Sequence, residues 1–409
     1  TVQADIVRRK PRFDVAQTIT IERESAQRVR PACPHFGICG GCSMQHLASA
    51  AQVAVKQRVL EDQLAHIGKT RSETMLRPLA GPDWSYRYRA RLSSRYVTKK
   101  EKVLVGFREK GSSFVADMQS CKVLPPFASE LLMPLRSLIG DLIMRMRIPQ
   151  IEMAVGEKEN HPNELRLALV LRHLDPLPPS DIEKIRAFAT QHALQIWLQP
   201  KGPDTMSALD PTDAVLFYHL PEYGLKMPFL PPDFTQVNMP VNRAMISQAL
   251  RLLEPQPGES IADLFCGLGN FSLPIASQGA IVTGVEVSTG LIGRAEQGAR
   301  DNGLADRTRF IAQNLFRVDA QSWSELGQFD KLLIDPPREG AAEVCSAIAQ
   351  ACAGSRPSRI VYVSCNPATL ARDAGILIQD AGYRLTDAGV VNMFPHTSHV
   401  ESMARFERL

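Results

Sequence analysis

The sequence predicts an α/β protein: a doubly wound, Rossmann-like back half on a parallel sheet, preceded by an α+β middle domain and a short β-rich piece at the front. Three observations carry that expectation. With 409 residues, 44% of them hydrophobic, the chain exceeds the size at which one core stops growing, so two or three domains are needed. After Phe234, apolar strand segments alternate with helical ones at 242–253, 260–265, 271–276, 281–286, 291–302, 308–313, 331–335, 341–353 and 359–364. A glycine pair, Gly267 and Gly269, falls between a strand and a helix of that series. Ligands in such sheets bind outside the carboxyl ends of the strands.

From the front, residues 1–32 hold two β-prone pieces (4–7 and 18–21) among Arg and Lys, too little for a core, and read as the end of a small domain. Residues 33–233 form the predicted middle domain. It opens on CPHFGICGGC, continues into a helix over about 46–67 that can pack on the catalytic half, and then mixes strands at 86–96, 102–107 and 164–171 with helical stretches. Residues 234–409 are the catalytic domain.

Residues 1–120 carry 21 Lys/Arg against 11 Asp/Glu, or +10, so the remainder carries −6 of the net +4. A basic front and an acidic back suggest that polyanion binding and another task are separated. No run reaches the roughly 18 uncharged apolar residues of a membrane span. The best candidate, 131–148, is broken by Arg136, Asp141, Arg145 and Arg147. TVQADIVRRK has no signal-peptide core, and a cytoplasmic location is expected.

In DLFCGLGNFSLP the two glycines let the backbone approach a ligand closely. Glu286 ends the next strand, 19 residues after Gly267, where a carboxylate can accept from two ribose hydroxyls. A dinucleotide would also fit, although Ser272 stands where it prefers a third glycine. Asn314 and Asp335, each after a later strand, complete a polar rim for an adenosine and an amino acid. This four-loop pattern resembles class I methyltransferases and points to S-adenosylmethionine ahead of a nicotinamide cofactor.

VYVSCNPATLARD sets Cys365 at the end of an apolar strand, before a helix whose N-terminal dipole favours thiolate. C5 of uracil is a poor nucleophile, and thiolate addition at C6 would make it a good one. A base must then remove the C5 proton. NMFPHTSHVESMARF offers His396, His399 and Glu401, of which Glu401 is favoured. The competing reading of these three as a metal site lacks a ligand-spaced partner on a helix.

DLFCGLGNFSLP, DPPREG, SCNPATLARD and FPHTSHVESM together resemble the RNA (uracil-5-)-methyltransferase family, and the cysteine motif resembles its branch acting on 23S ribosomal RNA. The resemblance implies Cys365 as nucleophile and Glu401 as base. It implies cofactor contacts from Gln236, Phe265, Asn270, Glu286, Asn314 and Asp335. It also implies the equivalent of position 1939 of 23S rRNA as target, with another 23S uridine or a tRNA as the alternative. Residues 1–32 resemble the end of a truncated TRAM domain, an OB-like RNA-binding barrel. DPPR at Asp335–Arg338 departs from the DPAR of well-known members and resembles the DPPY of amino-methylating enzymes, which need no cysteine; SCNP decides against them.

Cys33, Cys39 and Cys42, with Cys121 further on, read as four thiolate ligands. Spacing alone does not separate zinc from an iron–sulfur cluster. The resemblance implies [4Fe–4S]. Cys266, Cys345 and Cys352 lie in apolar settings and are expected to pack as small hydrophobes.

Between Tyr86 and Lys110 there are nine Lys/Arg and two acidic residues among four aromatics. On a strand, Arg87, Arg89 and Arg91 would share a face that follows a phosphate backbone. The target uridine must leave its stack to react, and Phe234 is a candidate wedge or lid. No obligate protein partner is implied. A non-catalytic iron–sulfur RNA binder would have no use for both Cys365 and Glu401.

Overall fold

The computed structural model describes residues 1–11, 13–210 and 215–409. At the front, β1 (Val2–Arg9) and β2 (Asp14–Ile21) form an antiparallel hairpin that is exposed almost throughout. The cysteine-rich loop follows, then α1 (Ser49–His66) and the short β3 (Thr74–Met75).

The middle domain holds β4 (Arg89–Val97), β5 (Lys102–Gly106), α2 (Pro126–Glu130), α3 (Leu132–Asp141), β6 (Gln150–Lys158), β7 (His161–Arg172), α4 (Pro179–Gln191), β8 (Gln195–Gln199), β9 (Ser207–Ala208), β10 (Leu216–Leu220) and β11 (Leu225–Phe229). These strands make one largely antiparallel sheet centred on the long β6–β7 pair. One face packs on α3 and α4 through Leu135, Ile139, Ile185 and Phe188. The other shares a continuous core with the catalytic half through Tyr218, Met227 and Phe229. The α+β expectation is met.

The catalytic half begins with α5 (Met239–Leu253), started by Asn238, whose side chain accepts from Val241 N, and by Pro240 in the first turn. Then come β12 (Ser260–Leu264), α6 (Ser272–Ser277), β13 (Ile281–Glu286), α7 (Thr289–Asp301), β14 (Thr308–Ala312), α8 (Ala320–Leu326), β15 (Lys331–Ile334), α9 (Ala342–Gln350), β16 (Arg359–Ser364), α10 (Pro367–Gln379), β17 (Tyr383–Val391) and β18 (Glu401–Arg408). The sheet order is β14-β13-β12-β15-β16-β18-β17-β3, with β12 to β16 parallel and β18 antiparallel to both neighbours. Strands buried on both faces read as continuous apolar runs, which is why the sequence located them within a residue or two. The direction of winding reverses between β12 and β15, so the ligand crevice opens there.

The front of the chain reaches further into this half than its position in the sequence suggests. β3 adds a parallel edge strand beside β17, and α1 packs on α10 and β17 with Leu60 and Leu64 in the catalytic core. The packing of α1 was anticipated from the sequence, whereas β3 was not, because the edge strand is only two residues long. No helix among the described residues is long and apolar enough to cross a membrane.

Gly284 is a tight point in β13: a Cβ there would stand 2.5 Å from the Phe310 ring and 2.9 Å from the Cys266 sulfur. Gly284→Ala is therefore expected to destabilise the catalytic half by about 1–3 kcal/mol, the usual cost of overpacking. A lower urea midpoint checks this, and an unchanged one would show that Phe310 can swing away.

Candidate active site

At the carboxyl ends of β12, β13, β15 and β16, and at the start of β18, lies a cleft of about 500 Å³. Its cofactor side is shaped by the turn after β12. Phe265 has φ 63°, and Gly267 and Gly269 have φ 56° and 89°. A bulky residue in the left-handed region is strained, so the turn holds Phe265 in place at some cost. The ring meets Phe316 at 5.5 Å and with it walls one end of the cleft.

The six residues expected to contact a cofactor, Gln236, Phe265, Asn270, Glu286, Asn314 and Asp335, all line this one cleft. Glu286 is oriented by Gly267 N–H at 3.2 Å and Ser288 N–H at 3.0 Å, which leaves each carboxylate oxygen a lone pair for a further donor. Asn314 accepts from Phe316 N. Asn270 is held by two side chains that the sequence did not single out. Its Oδ1 accepts from Tyr218 Oη at 2.9 Å and Asn242 Nδ2 at 3.0 Å, and its Nδ2 donates to Asn242 Oδ1 at 3.1 Å. Tyr218 comes from β10 of the middle domain, so both halves of the chain build the pocket. An isolated Tyr on a strand carries no signal of that role, and Asn242 entered the sequence reading only as the first residue of a predicted helix. Phe234, 69% exposed, stands at the mouth.

Cys365 follows β16 directly and Glu401 opens β18. These strands pair antiparallel with Ser364 opposite Ser402, which sets Cys365 and Glu401 beside each other on the cleft wall. Burial pushes the Glu401 carboxyl well above its usual range, and the neighbouring Asp335 adds to it. Asp335 itself is pushed up to about 7 by burial. The Cys365 thiol is pushed up to about 11, first by burial, then by Glu401 and Asp335; Arg338 opposes them. The thiolate expected from the helix end alone is thus not favoured in the free cleft, because desolvation and two carboxylates outweigh the α10 dipole. Arg338, whose charge faces this thiol, was also not singled out.

The three candidates of the C-terminal motif separate. His399 lines the cleft, with Arg338 Nη2 3.4 Å from its Nδ1. His396 is buried elsewhere, stacked on Trp84 at a centroid distance of 3.9 Å and bonded to Gln52. Among the described residues no three His, Cys, Asp or Glu side chains are arranged to hold a metal ion, in this motif or elsewhere.

Cys33, Cys39, Cys42 and Cys121 nevertheless surround a single small hollow, walled by Phe36, Phe107 and Met118. Gly41 N donates to the Cys39 sulfur at 3.3 Å. A Cβ on Gly40 would stand 3.0 Å from Arg108 O, so any other residue there would press the loop away from that carbonyl by a few tenths of an ångström. Of the three cysteines expected to pack, Cys266 and Cys345 are buried, whereas Cys352 is exposed at the end of α9 and is corrected accordingly.

The three arginines of the basic strand have unlike surroundings. β4 begins at Arg89, and Arg91 stays largely exposed. Arg91 pairs with Glu152 at 2.9 Å, Arg87 lies 5.7 Å over the Phe107 ring, and Arg89 is largely buried in the field of Glu152 and Asp233. Alternation places residues on a face, but does not say whether a neighbouring strand already supplies the counter-charge.

The model of the tRNA (uracil-5-)-methyltransferase family matches residues 229–408. A 23S rRNA (uracil(1939)-C(5))-methyltransferase from Cupriavidus pinatubonensis is 58% identical over 411 residues, covering 100% of this chain and 87% of its own. The enzyme of that name from Bordetella bronchiseptica is 57% identical over 409 residues, covering 100% and 86%. Among solved structures, the Pyrococcus abyssi tRNA (uracil-54, C5)-methyltransferase in complex with S-adenosyl-L-homocysteine superposes with a TM-score of 0.72 at 22% identity, over 99% of this chain and 93% of its own. That likeness shows the fold.

With ligands absent, alkylation of Cys365, followed by mass spectrometry of its peptide, is expected to reach half-rate above pH 9, and Glu401→Gln to move that point down by removing a negative neighbour. A half-point near neutrality would mean that the helix end outweighs burial.

Proposed function

The chain belongs to the RNA uracil-5-methyltransferase family, and from that membership we propose a division of labour in which Cys365 is the nucleophile and Glu401 the base. The protein transfers a methyl group from S-adenosylmethionine to C5 of a uridine in 23S rRNA, giving 5-methyluridine. S-adenosylmethionine supplies the electrophilic methyl group.

Cys365 Sγ adds to C6 of the extruded uracil, and the electron pair of the C5–C6 double bond passes to C5 and O4. C5 then takes the methyl group from the sulfonium, whose methyl C–S bond breaks with the electron pair left on sulfur, so that S-adenosylhomocysteine is the leaving group. Glu401 removes the C5 proton, the C5–C6 double bond reforms, and the thiolate leaves. The observation that carries this reading is the β16–β18 register, which sets a thiol and a carboxyl side by side in the cleft lined by all six cofactor candidates. Gln236, Phe265, Asn270, Glu286, Asn314 and Asp335 are assigned to the cofactor. Asp335 and Glu286 complement its cationic parts and ribose, and a cation bound there offsets the carboxylate field that holds the Cys365 thiol protonated. Phe234 covers the mouth once the uridine has entered.

Cys33, Cys39, Cys42 and Cys121 are assigned as ligands of a [4Fe–4S] cluster. An all-thiol donor set round one apolar hollow, with a backbone N–H on one sulfur, suits a cluster in which each iron takes one thiolate. The cluster organises the loop between the middle and catalytic halves. For RNA, the exposed Arg95, Lys99 and Lys100 at the end of β4 replace the paired arginines as phosphate contacts. The exposed β1–β2 hairpin is read as the end of a TRAM-like RNA-binding barrel. The target is taken to be the uridine equivalent to position 1939 named for the relatives.

Incubating the protein with labelled cofactor and either 23S rRNA or tRNA, then analysing nucleosides by mass spectrometry, is expected to give 5-methyluridine from 23S rRNA alone; product from tRNA alone would overturn the substrate assignment. Cys365→Ala is expected to lose turnover by on the order of 10⁴-fold or more and to form no covalent RNA complex. Glu401→Gln is expected to lose about 10²–10⁴-fold and to accumulate a methylated, denaturant-resistant protein–RNA adduct. Undiminished transfer by Cys365→Ala would sink the covalent mechanism.

Anaerobically prepared protein is expected to be brown and to hold about four irons per chain, with Cys121→Ser losing iron as fully as Cys39→Ser. Colourless protein with one zinc would remove the cluster.

A further inference from the structure

Between β17 and the Glu401 end of β18 runs a strap, residues 392–400, with little regular structure of its own. Its backbone is nonetheless held at almost every step, by groups distant in sequence. Lys56, 2% exposed, sends its ammonium from α1 to Asn392 Oδ1 and Phe394 O, each at 2.8 Å. Asn238 Nδ2 donates to Met393 O at 3.2 Å, and Tyr86 Oη to Pro395 O at 2.9 Å. Gln52, one turn before Lys56 on α1, accepts from His396 N at 2.8 Å. Ser43 N and Met44 N, just after Cys42, both donate to His396 O at 2.9 Å, and Ser43 Oγ accepts from Ser398 N at 3.1 Å.

This grip is more than loop closure. His396 has φ 65°, a conformation that costs about 1 kcal/mol or more for a residue with a Cβ and persists only where the surroundings impose it. Its imidazole is stacked on Trp84 and lies against the Asp83 backbone. Lys56 is a buried ammonium with no carboxylate on it, an expensive arrangement for a loop that only had to be tidy. Strain and a buried cation converge on the few residues that fix where β18 begins. Glu401 is the first residue of β18 and meets Cys365 only if that start is correct.

We propose that Lys56, Gln52 and Ser43 are positioning residues for the proton-removal step: they clamp the strap so that the Glu401 carboxyl faces the carbon bonded to Cys365. The inference rests on the assignment of Glu401 as the base. It gives α1 and the cysteine loop a task in catalysis, since Ser43 ties the loop of Cys42 directly to the strap that leads to the base.

The test uses the full chain, with 23S rRNA and labelled S-adenosylmethionine, and the variants Ser43→Ala, Ser43→Thr, Lys56→Met and Glu401→Gln. Ser43 is exposed, so its replacement leaves the core untouched. For Ser43→Ala and Lys56→Met, multiple-turnover kcat is expected to fall by about tenfold or more, as a small misplacement of a reacting group does, while single-turnover methyl incorporation and the KM for cofactor stay within about twofold. Methylated adduct should then persist on denaturing gels. Ser43→Thr, which keeps the hydroxyl, should restore turnover. Normal turnover without adduct in both Ser43→Ala and Lys56→Met would overturn the proposal, as would an equal fall in single- and multiple-turnover rates. If Glu401→Gln itself fails to accumulate adduct, the base assignment is what has failed; if it accumulates adduct and the clamp variants do not, the clamp has failed.

Discussion

The arrangement of this molecule turns on the antiparallel pairing of β16 with β18. A thiol at the end of one strand and a carboxyl at the start of the other share a wall only because Ser364 stands opposite Ser402. A slip of one residue would turn the Glu401 side chain to the opposite face of the sheet. Because β18 enters the sheet from the opposite direction to the parallel strands, its first residue, and not its last, lies at the ligand end. The β17–β18 hairpin thus delivers to the crevice a residue from the start of a strand, where parallel strands deliver only residues from their carboxyl ends.

That placement has an electrostatic cost. Asp263, buried and bonded to Ser272 at 2.5 Å, and Asp335 are both pushed up to about 7, chiefly by burial, and burial also pushes Glu401 well above its usual range. Each folded-state value lies above the unfolded one near 4, so the stability these groups contribute is full below that value and is lost as pH rises toward 7 and beyond. A cleft that strains against its own negative charge is complementary to a cationic ligand. Burial first, and then Glu401 and Asp335, push the Cys365 thiol up to about 11, so it is protonated in the free cleft at neutral pH.

The division into a middle domain and a catalytic half is less sharp in space than along the chain. Tyr218 of β10 orients Asn270 in the glycine turn, Arg243 of α5 reaches back to the buried Glu157 of β6 at 2.7 Å, and β3 closes the edge of the catalytic sheet. The α1 helix carries Leu60 and Leu64 into one core and Lys56 and Gln52 onto the strap. Cofactor pocket, proposed base and cysteine loop are therefore parts of one packed unit, and a change in the loop can be felt at the cleft without passing through the RNA.

By itself the sequence determined the parallel sheet, the cofactor turn, the two catalytic candidates and the four clustered cysteines. Each is local: apolar runs between helices, glycines at one turn, a Cys-Asn-Pro strand end. Even the long-range gathering of Glu286, Asn314 and Asp335 was legible, because each stands at the carboxyl end of a strand of the same sheet; Gln236, between β11 of the other sheet and α5, came only from the family resemblance. What only the tertiary structure decided depends on which group stands across from which. Arg91 meets Glu152 across the sheet, His396 turns away from the cleft to Gln52 and Trp84, and the Cys365 thiol is pushed up by burial first and then by carboxyl groups 30 or more positions away in sequence. Burial and counter-charge are properties of packed neighbours, and a strand pattern names a face without naming what covers it.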